Sequence, residues 1–153
     1  MSLCLSKGLG SPIGSILVGS KSFIKKATHF RKLYGGGWRQ AGMLAAAGIY
    51  ALEHVKDLEV DHQNAKYIHD RMVELGIRIV IPVETNMIWF DVSKYGTIDQ
   101  LSKIGERYQI KLGGGKYVGR IVLHKNIDAH GISLFMKSIY EFVQESSVLR
   151  STL

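Results

Sequence analysis

Cysteine and proline are scarce in this chain of 153 residues, which has one cysteine, Cys4, and two prolines. A lone cysteine cannot form an internal disulfide, so the disulfide-rich secreted scaffolds are excluded and a reducing compartment is favoured. The chain also lacks any run of about eighteen apolar residues, and its first residues lack the basic and then apolar order of a secretion signal. We therefore expect a soluble, cytoplasmic protein that does not contact a membrane.

Acidic residues are outnumbered by basic ones, 13 against 20, and the formal net charge is +7. This surplus attracts anions of any kind, from a phosphate group to a nucleic acid backbone. A basic nucleic-acid-binding module is thus an alternative function. No RNA-reading aromatic motif, zinc-ligand spacing or recognition helix supports it, and we expect no nucleic acid partner. We also expect no metal, because no trusted ligand spacing relates the six histidines, which are His29, His54, His62, His69, His124 and His130.

Glycine, by contrast, is abundant, with 17 residues, and groups of glycines divide the chain into segments. Ser20 is a good N-cap for a helix that reaches Tyr34, where three consecutive glycines end it. An alanine-rich helix is predicted to follow from about Trp38 to His54. This second helix is apolar on nearly all sides, and such a helix is normally buried all round, although a chain of this length has little material to bury it.

The remaining segments alternate between strand and helix periods. Strands are predicted at 16–18, 78–81, 87–92 and 117–124, and further helices at 65–75, from Thr97 to about 109, and from about Asp128 onward. Apolar residues of the last helix form one stripe that must cover a sheet, and they are Ile132, Phe135, Met136, Ile139, Phe142 and Val143. We expect Trp89 and Phe90 to lie in the core of this α+β arrangement.

Lys7 is the first candidate for chemistry. It lies between an extended segment and a glycine-rich turn, in the run Ser-Lys-Gly-Leu-Gly-Ser-Pro-Ile-Gly-Ser that begins at Ser6. Glycines leave room for a planar cofactor and its phosphate, and a lysine amine that has lost its proton can attack a carbonyl carbon. On spacing alone the alternative of an ordinary exposed lysine stays open.

Arg120 is the second candidate. Strand alternation from Val118 places Arg120 on one face, with Val122 and His124, while Ile121 and Leu123 lie on the other. The guanidinium therefore need not enter the apolar side, and its planar fork matches a carboxylate with two hydrogen bonds. An exposed strand arginine or an internal ion pair is the alternative.

Four blocks of the sequence together resemble the low-specificity threonine aldolase family. The first is the lysine run from Ser6, and the second is Arg-Lys-Leu-Tyr-Gly-Gly-Gly-Trp-Arg-Gln-Ala-Gly from Arg31. The other two, Thr-Asn-Met from Thr85 and Gly-Arg-Ile-Val-Leu-His from Gly119, follow in the same order and at similar distances. The resemblance covers essentially the whole chain, and it departs from many relatives at Trp38, where they have methionine.

This resemblance implies the C-terminal half of a pyridoxal-phosphate enzyme of the aspartate-aminotransferase-like group, fold type I. The implied fold class is α/β, with residues 1–56 ending the cofactor-binding large domain and residues 57–153 forming an α+β small domain of antiparallel strands covered by helices. The rest of the large domain, with its ring-stacking, ring-nitrogen and main phosphate-binding groups, is absent from this sequence. We therefore expect the chain to be inactive by itself.

The family's functional residues carry over to five positions. Lys7 matches the lysine that holds pyridoxal phosphate as a Schiff base, and Ser6 matches the small polar residue before it. Lys32 and Arg39 match basic positions near the site, where Arg39 would reach the cofactor phosphate of a neighbouring subunit. Arg120 matches the arginine that binds the carboxylate of the substrate.

The activity implied is cleavage of threonine or allo-threonine to glycine and acetaldehyde by a homodimer or homotetramer. Two alternatives remain open at this point. Another fold type I reaction, β-elimination or transamination, would not release acetaldehyde from threonine, and elimination would yield 2-oxobutanoate instead. A purely structural oligomerisation fragment would use the apolar second helix as its interface.

Overall fold

The computed structural model describes the backbone of residues 1–151 and the side chains of residues 1–148. It divides into two compact units, Met1–Leu58 (unit 1) and Glu59–Leu153 (unit 2). The elements of unit 1 are β1 (Ser2–Cys4), β2 (Ser15–Leu17), α1 (Lys21–Leu33), α2 (Gly42–Glu53) and a 3₁₀ helix (Val55–Asp57). Those that follow are α3 (Leu58–Glu74), β3 (Arg78–Ile79), β4 (Met87–Asp91), α4 (Ile98–Glu106), β5 (Val118–Val122) and α5 (Ala129–Ser151). None of the described helices is both long enough and apolar enough to cross a membrane.

Unit 1 begins with an antiparallel pair of strands, β1 and β2, and continues into α1. The predicted cap of α1 is confirmed, because the backbone N–H of Phe23 donates to the Ser20 hydroxyl at 3.3 Å. The helix ends at the predicted glycines. Gly35 has a φ of +81°, and the N–H of Gly36 donates to the carbonyl of Arg31 at 2.7 Å, which satisfies a carbonyl that the helix itself leaves unpaired.

The predicted start of α2 is wrong. The helix begins at Gly42 instead of Trp38, because the chain is still turning there: the Trp38 N–H bonds back to the carbonyl of Gly36 at 3.0 Å. The chain buries little of the helix, as expected from its length, since Met43 is 86% exposed and the only buried residues of α2 are Gly48 and Ala51. Within unit 1 a two-stranded hairpin is too small to cover an entire apolar helix.

Unit 2 is built on an antiparallel sheet in the order β3-β4-β5. One face of the sheet is covered by α3, α4 and α5, as predicted from the stripe on the last helix. The core includes Ile88 and Phe90 from the sheet and Met72, Leu101 and Ile139 from the three helices, and each of these is at most 2% exposed. The predicted small antiparallel sheet covered by helices is confirmed.

Several predicted boundaries in unit 2 were too wide. The strand predicted at 78–81 extends only over Arg78–Ile79, with one more bond to β4 from the Val80 N–H before Pro82, and the strand predicted at 117–124 extends over Val118–Val122. The helix after Thr97 ends at Glu106, because the chain turns where Gln109 adopts a φ of +60°. In contrast, α3 is longer than its apolar stripe, because acidic residues in its first turn favour an earlier start.

Candidate active site

The loop that carries Lys7 is held by backbone hydrogen bonds at the end of β1. The buried Leu5 donates its N–H to the Gly14 carbonyl at 2.9 Å and accepts from the N–H of Ser11 at 3.0 Å. Inside this frame the N–H of Gly10 donates to the Lys7 carbonyl at 2.8 Å, which closes a tight turn. Lys7 is therefore an exposed residue on an ordered turn, between the strand and the glycines as predicted.

Two glycines of this loop are required by backbone geometry. Gly10 has a φ of +74° and Gly14 a φ of +118°, conformations that other L-residues rarely adopt. The loop needs both residues to bring Lys7 into the turn and return to β2. This local strain explains the glycine spacing that the sequence displays.

The side chain of Lys7 forms no hydrogen bond or ion pair among the described residues. Ser6, beside it, is instead close to Cys4, with 3.5 Å between the hydroxyl oxygen and the thiol sulfur. This hydrogen bond, with a smaller contribution from the charge of Lys7, lowers the pKa of the Cys4 thiol. No carboxylate among the described residues holds this amine, which can react with an aldehyde once it has lost its proton.

The two other basic candidates of unit 1 lie apart from this turn in the chain. Lys32 is in the last turn of α1 and lines a shallow cavity of about 460 Å³ together with Lys25 and His29. Arg39 is exposed in the segment before α2, next to Trp38, which lines another cavity of about 300 Å³. No described hydrogen bond or ion pair joins Lys32 or Arg39 to Lys7.

Arg120 lies in unit 2, on β5, directly opposite Trp89 of β4. Its guanidinium carbon is 5.4 Å from the centre of the Trp89 ring, which is a cation–π distance. Arg120 and Val122 are exposed while Leu123 is buried, so the predicted division of the strand into two faces is confirmed. Within the described part of unit 2 no carboxylate pairs with Arg120, which removes the internal ion pair as an alternative.

The expectation that Trp89 belongs to the core is wrong, whereas Phe90 is a core residue at 2% exposure. Neighbouring residues of a strand point to opposite faces, so burial of Phe90 places Trp89 on the uncovered face of the sheet. We call this surface the open face. It carries Met87, Trp89 and Asp91 of β4 with Val118, Arg120 and Val122 of β5.

Asp91, the acidic residue of the open face, already has two hydrogen-bond donors. Asp91 accepts a hydrogen bond from the guanidinium of Arg78 at 2.5 Å and another from the N–H of Ser93 at 2.8 Å. These two contacts, that of Arg78 first, lower the pKa of Asp91 to about 2. The carboxylate nearest to Arg120 along the sheet is thus already neutralised by a different arginine.

Asn86 is a residue to which sequence reasoning gave no role. Its side-chain amide donates to the Leu123 backbone carbonyl at 2.5 Å, and its backbone carbonyl accepts from the Leu123 N–H at 2.9 Å. These bonds extend the ladder between β4 and β5 by one step and fix the register that places Arg120 opposite Trp89. The signal in the sequence was a side-chain amide at the start of a strand.

The site residues thus fall into two sets that the structure describes separately. Unit 1 contains Lys7, Ser6, Lys32 and Arg39, and unit 2 contains Arg120. The described residues hold no group of three His, Cys, Asp or Glu side chains arranged to bind a metal ion.

Comparison with known proteins places the chain in a family. A family model described as beta-eliminating lyase matches residues 1–95, more than half of the chain. The chain belongs to the beta-eliminating lyase family. Dependence on pyridoxal phosphate is a general property of this family.

Curated relatives of this beta-eliminating lyase family member carry a more specific name. The low-specificity L-threonine aldolase of Candida albicans is 40% identical over 148 residues, which are 94% of this chain and 38% of that protein. The enzyme of the same name from Escherichia coli K12 is 41% identical over 128 residues, 82% of this chain and 37% of that protein. The resemblance to the threonine aldolases is confirmed, and the chain spans well under half the length of these relatives.

Solved structures of other proteins share the fold of this chain. An 8-amino-7-oxononanoate synthase from Francisella tularensis superposes with a TM-score of 0.74 at 15% identity, over 97% of this chain and 46% of that one. A protein described as a putative L-allo-threonine aldolase from Listeria monocytogenes gives a TM-score of 0.70 at 19% identity, over 92% of this chain and 44% of that one. The predicted fold type I class is confirmed by both.

Proposed function

We propose that the protein containing this chain is a pyridoxal-phosphate-dependent threonine aldolase that cleaves threonine or allo-threonine to glycine and acetaldehyde. The observation that carries the proposal is the exposed, unpaired amine of Lys7 on a glycine-built turn, in a chain about 40% identical to enzymes named for this activity. Within this proposal residues 1–56 end a large cofactor-binding domain and residues 57–153 form the small domain.

The residues of unit 1 fit the cofactor. Lys7 offers a primary amine that no described carboxylate neutralises, and Gly10 and Gly14 leave the turn without side chains that would crowd a planar ring. Lys7 would hold the aldehyde carbon, Ser6 would supply a hydrogen bond to the cofactor, and Arg39 would supply a positive charge to the cofactor phosphate of a neighbouring subunit. When bound, pyridoxal phosphate supplies a conjugated ring that stabilises negative charge on the α-carbon of the substrate.

Two basic side chains would receive the amino acid. Arg120 presents a planar fork on the open face, and two parallel hydrogen bonds from it to the α-carboxylate would fix the orientation of the substrate. Lys32 would add positive charge that favours binding of the anionic substrate. The residues of this chain therefore bind and orient, and we propose that groups elsewhere in the protein move the proton of the β-hydroxyl.

The assembled enzyme is proposed to be a cytoplasmic homodimer or homotetramer. The exposed apolar surface of α2, with Met43, Ile49 and Tyr50 each more than 60% exposed, supports burial by further protein. Because the family's ring-stacking and main phosphate-binding groups are missing from these 153 residues, the polypeptide alone should not turn over threonine.

The first prediction tests Lys7. Borohydride reduction of the full-length, cofactor-loaded protein, followed by peptide mass mapping, should place the covalent label on Lys7, because only an amine bonded to the cofactor aldehyde is trapped. Lys7→Ala should lose the label and the acetaldehyde-forming activity together. Lys21→Ala, which removes an exposed lysine from the start of α1, should retain both. A label on another side chain would refute the assignment.

A second candidate reaction is β-elimination, which the description of the family model favours. It differs from the aldol cleavage in its product, because elimination from threonine gives 2-oxobutanoate and the aldol route gives acetaldehyde. Separate assays of the two products on the same full-length preparation decide between them. Relatives about 40% identical and named for aldol cleavage lead us to expect acetaldehyde.

A further inference from the structure

We infer that Trp89 is a positioning residue that holds the guanidinium of Arg120 ready for the substrate carboxylate. The inference rests on the proposed function, in which Arg120 binds that carboxylate. It adds a specific aromatic partner on the neighbouring strand, and it concerns a residue that sequence reasoning assigned to the core.

The pairing of the strands brings the two side chains together. Trp89 and Arg120 are directly opposite in the antiparallel ladder, so both side chains rise from the same face. On its other side Trp89 is flanked by Val80, whose N–H donates to the Trp89 carbonyl at 2.8 Å. The indole is half-buried, and the centre of its ring lies 5.4 Å from the guanidinium carbon.

Trp89 is the main partner of Arg120, because no carboxylate in the described part of unit 2 pairs with this arginine. Asp91 lies on the same face only two residues from Trp89, but Arg78 and the Ser93 N–H already satisfy its carboxylate. A guanidinium that lies on an aromatic ring keeps its N–H groups free at the edge, whereas one that is paired with a carboxylate does not. The arrangement therefore restrains Arg120 without using the donors that a substrate needs.

The platform beneath the pair is rigid. Asn86 bonds to Leu123 through both its side chain and its backbone, which locks the register of β4 and β5. Phe90 packs against Gly119 on the covered face, where no side chain would fit, and this packing favours the same register. An arginine side chain otherwise loses considerable rotamer freedom on binding, and restraint before binding reduces that loss.

The expected kinetic effect is on substrate binding. In the full-length enzyme, Trp89→Leu should raise the KM for threonine about three- to tenfold and change kcat by less than about twofold, because only the placement of the guanidinium is lost. Trp89→Phe keeps an aromatic face and should raise KM by no more than about twofold. Met87→Leu alters the same open face opposite Val122, away from Arg120, and should leave both constants unchanged.

A double-variant comparison separates this inference from the proposed function. If Trp89 acts through Arg120, Trp89→Leu should raise KM in the native background and have no further effect in Arg120→Ala. Equal effects in both backgrounds, or a KM for Trp89→Leu no different from Met87→Leu while Arg120→Ala raises KM, would overturn the role of Trp89 alone. An unchanged KM in Arg120→Ala would instead overturn the proposed substrate contact, and the inference with it.

A second measurement does not depend on turnover. In the 153-residue chain labelled with ¹⁵N, the Nε–H proton of Arg120 should resonate upfield of its usual position because the guanidinium lies over the indole ring, and loss of the signal in Arg120→Lys assigns it. Trp89→Phe should keep part of the shift and Trp89→Leu should abolish it, with Met87→Leu as the control. An unshifted Arg120 signal in the native chain would overturn the stacking on which the inference depends, even if Trp89→Leu fails to fold.

Discussion

At the scale of single residues, Asp91 shows how a charge is accommodated at the edge of a core. Its side chain is only 10% exposed, and burial alone would favour the protonated form. The hydrogen bond from Arg78 and that from the Ser93 N–H outweigh burial, and the pKa of Asp91 falls from 3.8 to about 2. The folded protein therefore prefers the ionised carboxylate more strongly than the unfolded chain does.

This preference predicts a pH dependence of stability. Because the pKa is lower in the folded state, the contribution of Asp91 is fully present above about pH 4 and is lost as the pH falls toward 2. Arg78 is 69% exposed, so solvent screening limits the effect. Between pH 5 and pH 2.5, urea unfolding should show the native chain losing about 1 to 2 kcal/mol more than Asp91→Asn loses. Parallel losses in the two proteins would contradict this.

What the sequence predicted about single residues depended on how local the cause was. The exposed side of Arg120 followed from the two-residue period of a strand, and the setting of Lys7 followed from adjacent glycines. Trp89 was misassigned because an aromatic residue in an apolar run resembles core, and only its partner on β5 reveals its face. That partner, Arg120, is 31 residues after Trp89 in the chain.

At the scale of elements, the packing of β5 against β4 depends on the absence of a side chain at Gly119. A Cβ added there would lie 2.5 Å from Cζ of Phe90 and 3.1 Å from Cδ1 of Ile98. Phe90 is a buried ring in a close-packed core, so it cannot move aside without displacing other residues. The sequence showed this glycine only as part of a family block.

Gly119→Ala should therefore destabilise the chain by about 1 to 3 kcal/mol, the usual effect of overpacking a core. Gly113→Ala is the matched control, because no atom lies within 4 Å of a Cβ added at Gly113 and its φ is not positive. Thermal or urea unfolding of both variants measures the difference. Equal stability of the two variants would show that β5 shifts to make room.

The start of a helix was predictable where a side chain caps it, and was not predictable where only a backbone turn sets it. Ser20 and Thr97 begin α1 and α4 because their hydroxyls accept N–H groups of the first turn. The start of α2 has no such cap, since Ala41 offers no side-chain acceptor. Its position is set by the turn that continues past the three glycines, which residue preferences do not describe.

At the scale of the whole molecule, burial is distributed very unequally between the two units. In unit 2, 16 buried hydrophobic residues form one continuous cluster. In unit 1 the buried residues are Leu5, Ser11, Gly48 and Ala51, although α2 is the most apolar helix of that unit. Apolar composition predicted burial of α2, but composition does not say which polypeptide surface covers it, and unit 1 contains little that can.

This inequality predicts that the two units differ in local stability. An amide hydrogen exchanges when the structure around it opens, and the free energy of opening rises with the number of buried contacts. The amides of β4 and α5 should therefore exchange at least about tenfold more slowly than those of α1 and α2. Hydrogen exchange of the 153-residue chain, read by mass spectrometry of peptides from each helix, measures the ratio. Ile139→Ala, which removes a fully buried side chain, should speed exchange throughout unit 2 while α1 changes little. Equally slow exchange in α1 and α5 would mean that the exposed apolar surface of unit 1 is covered in solution, for example by a second copy of the chain.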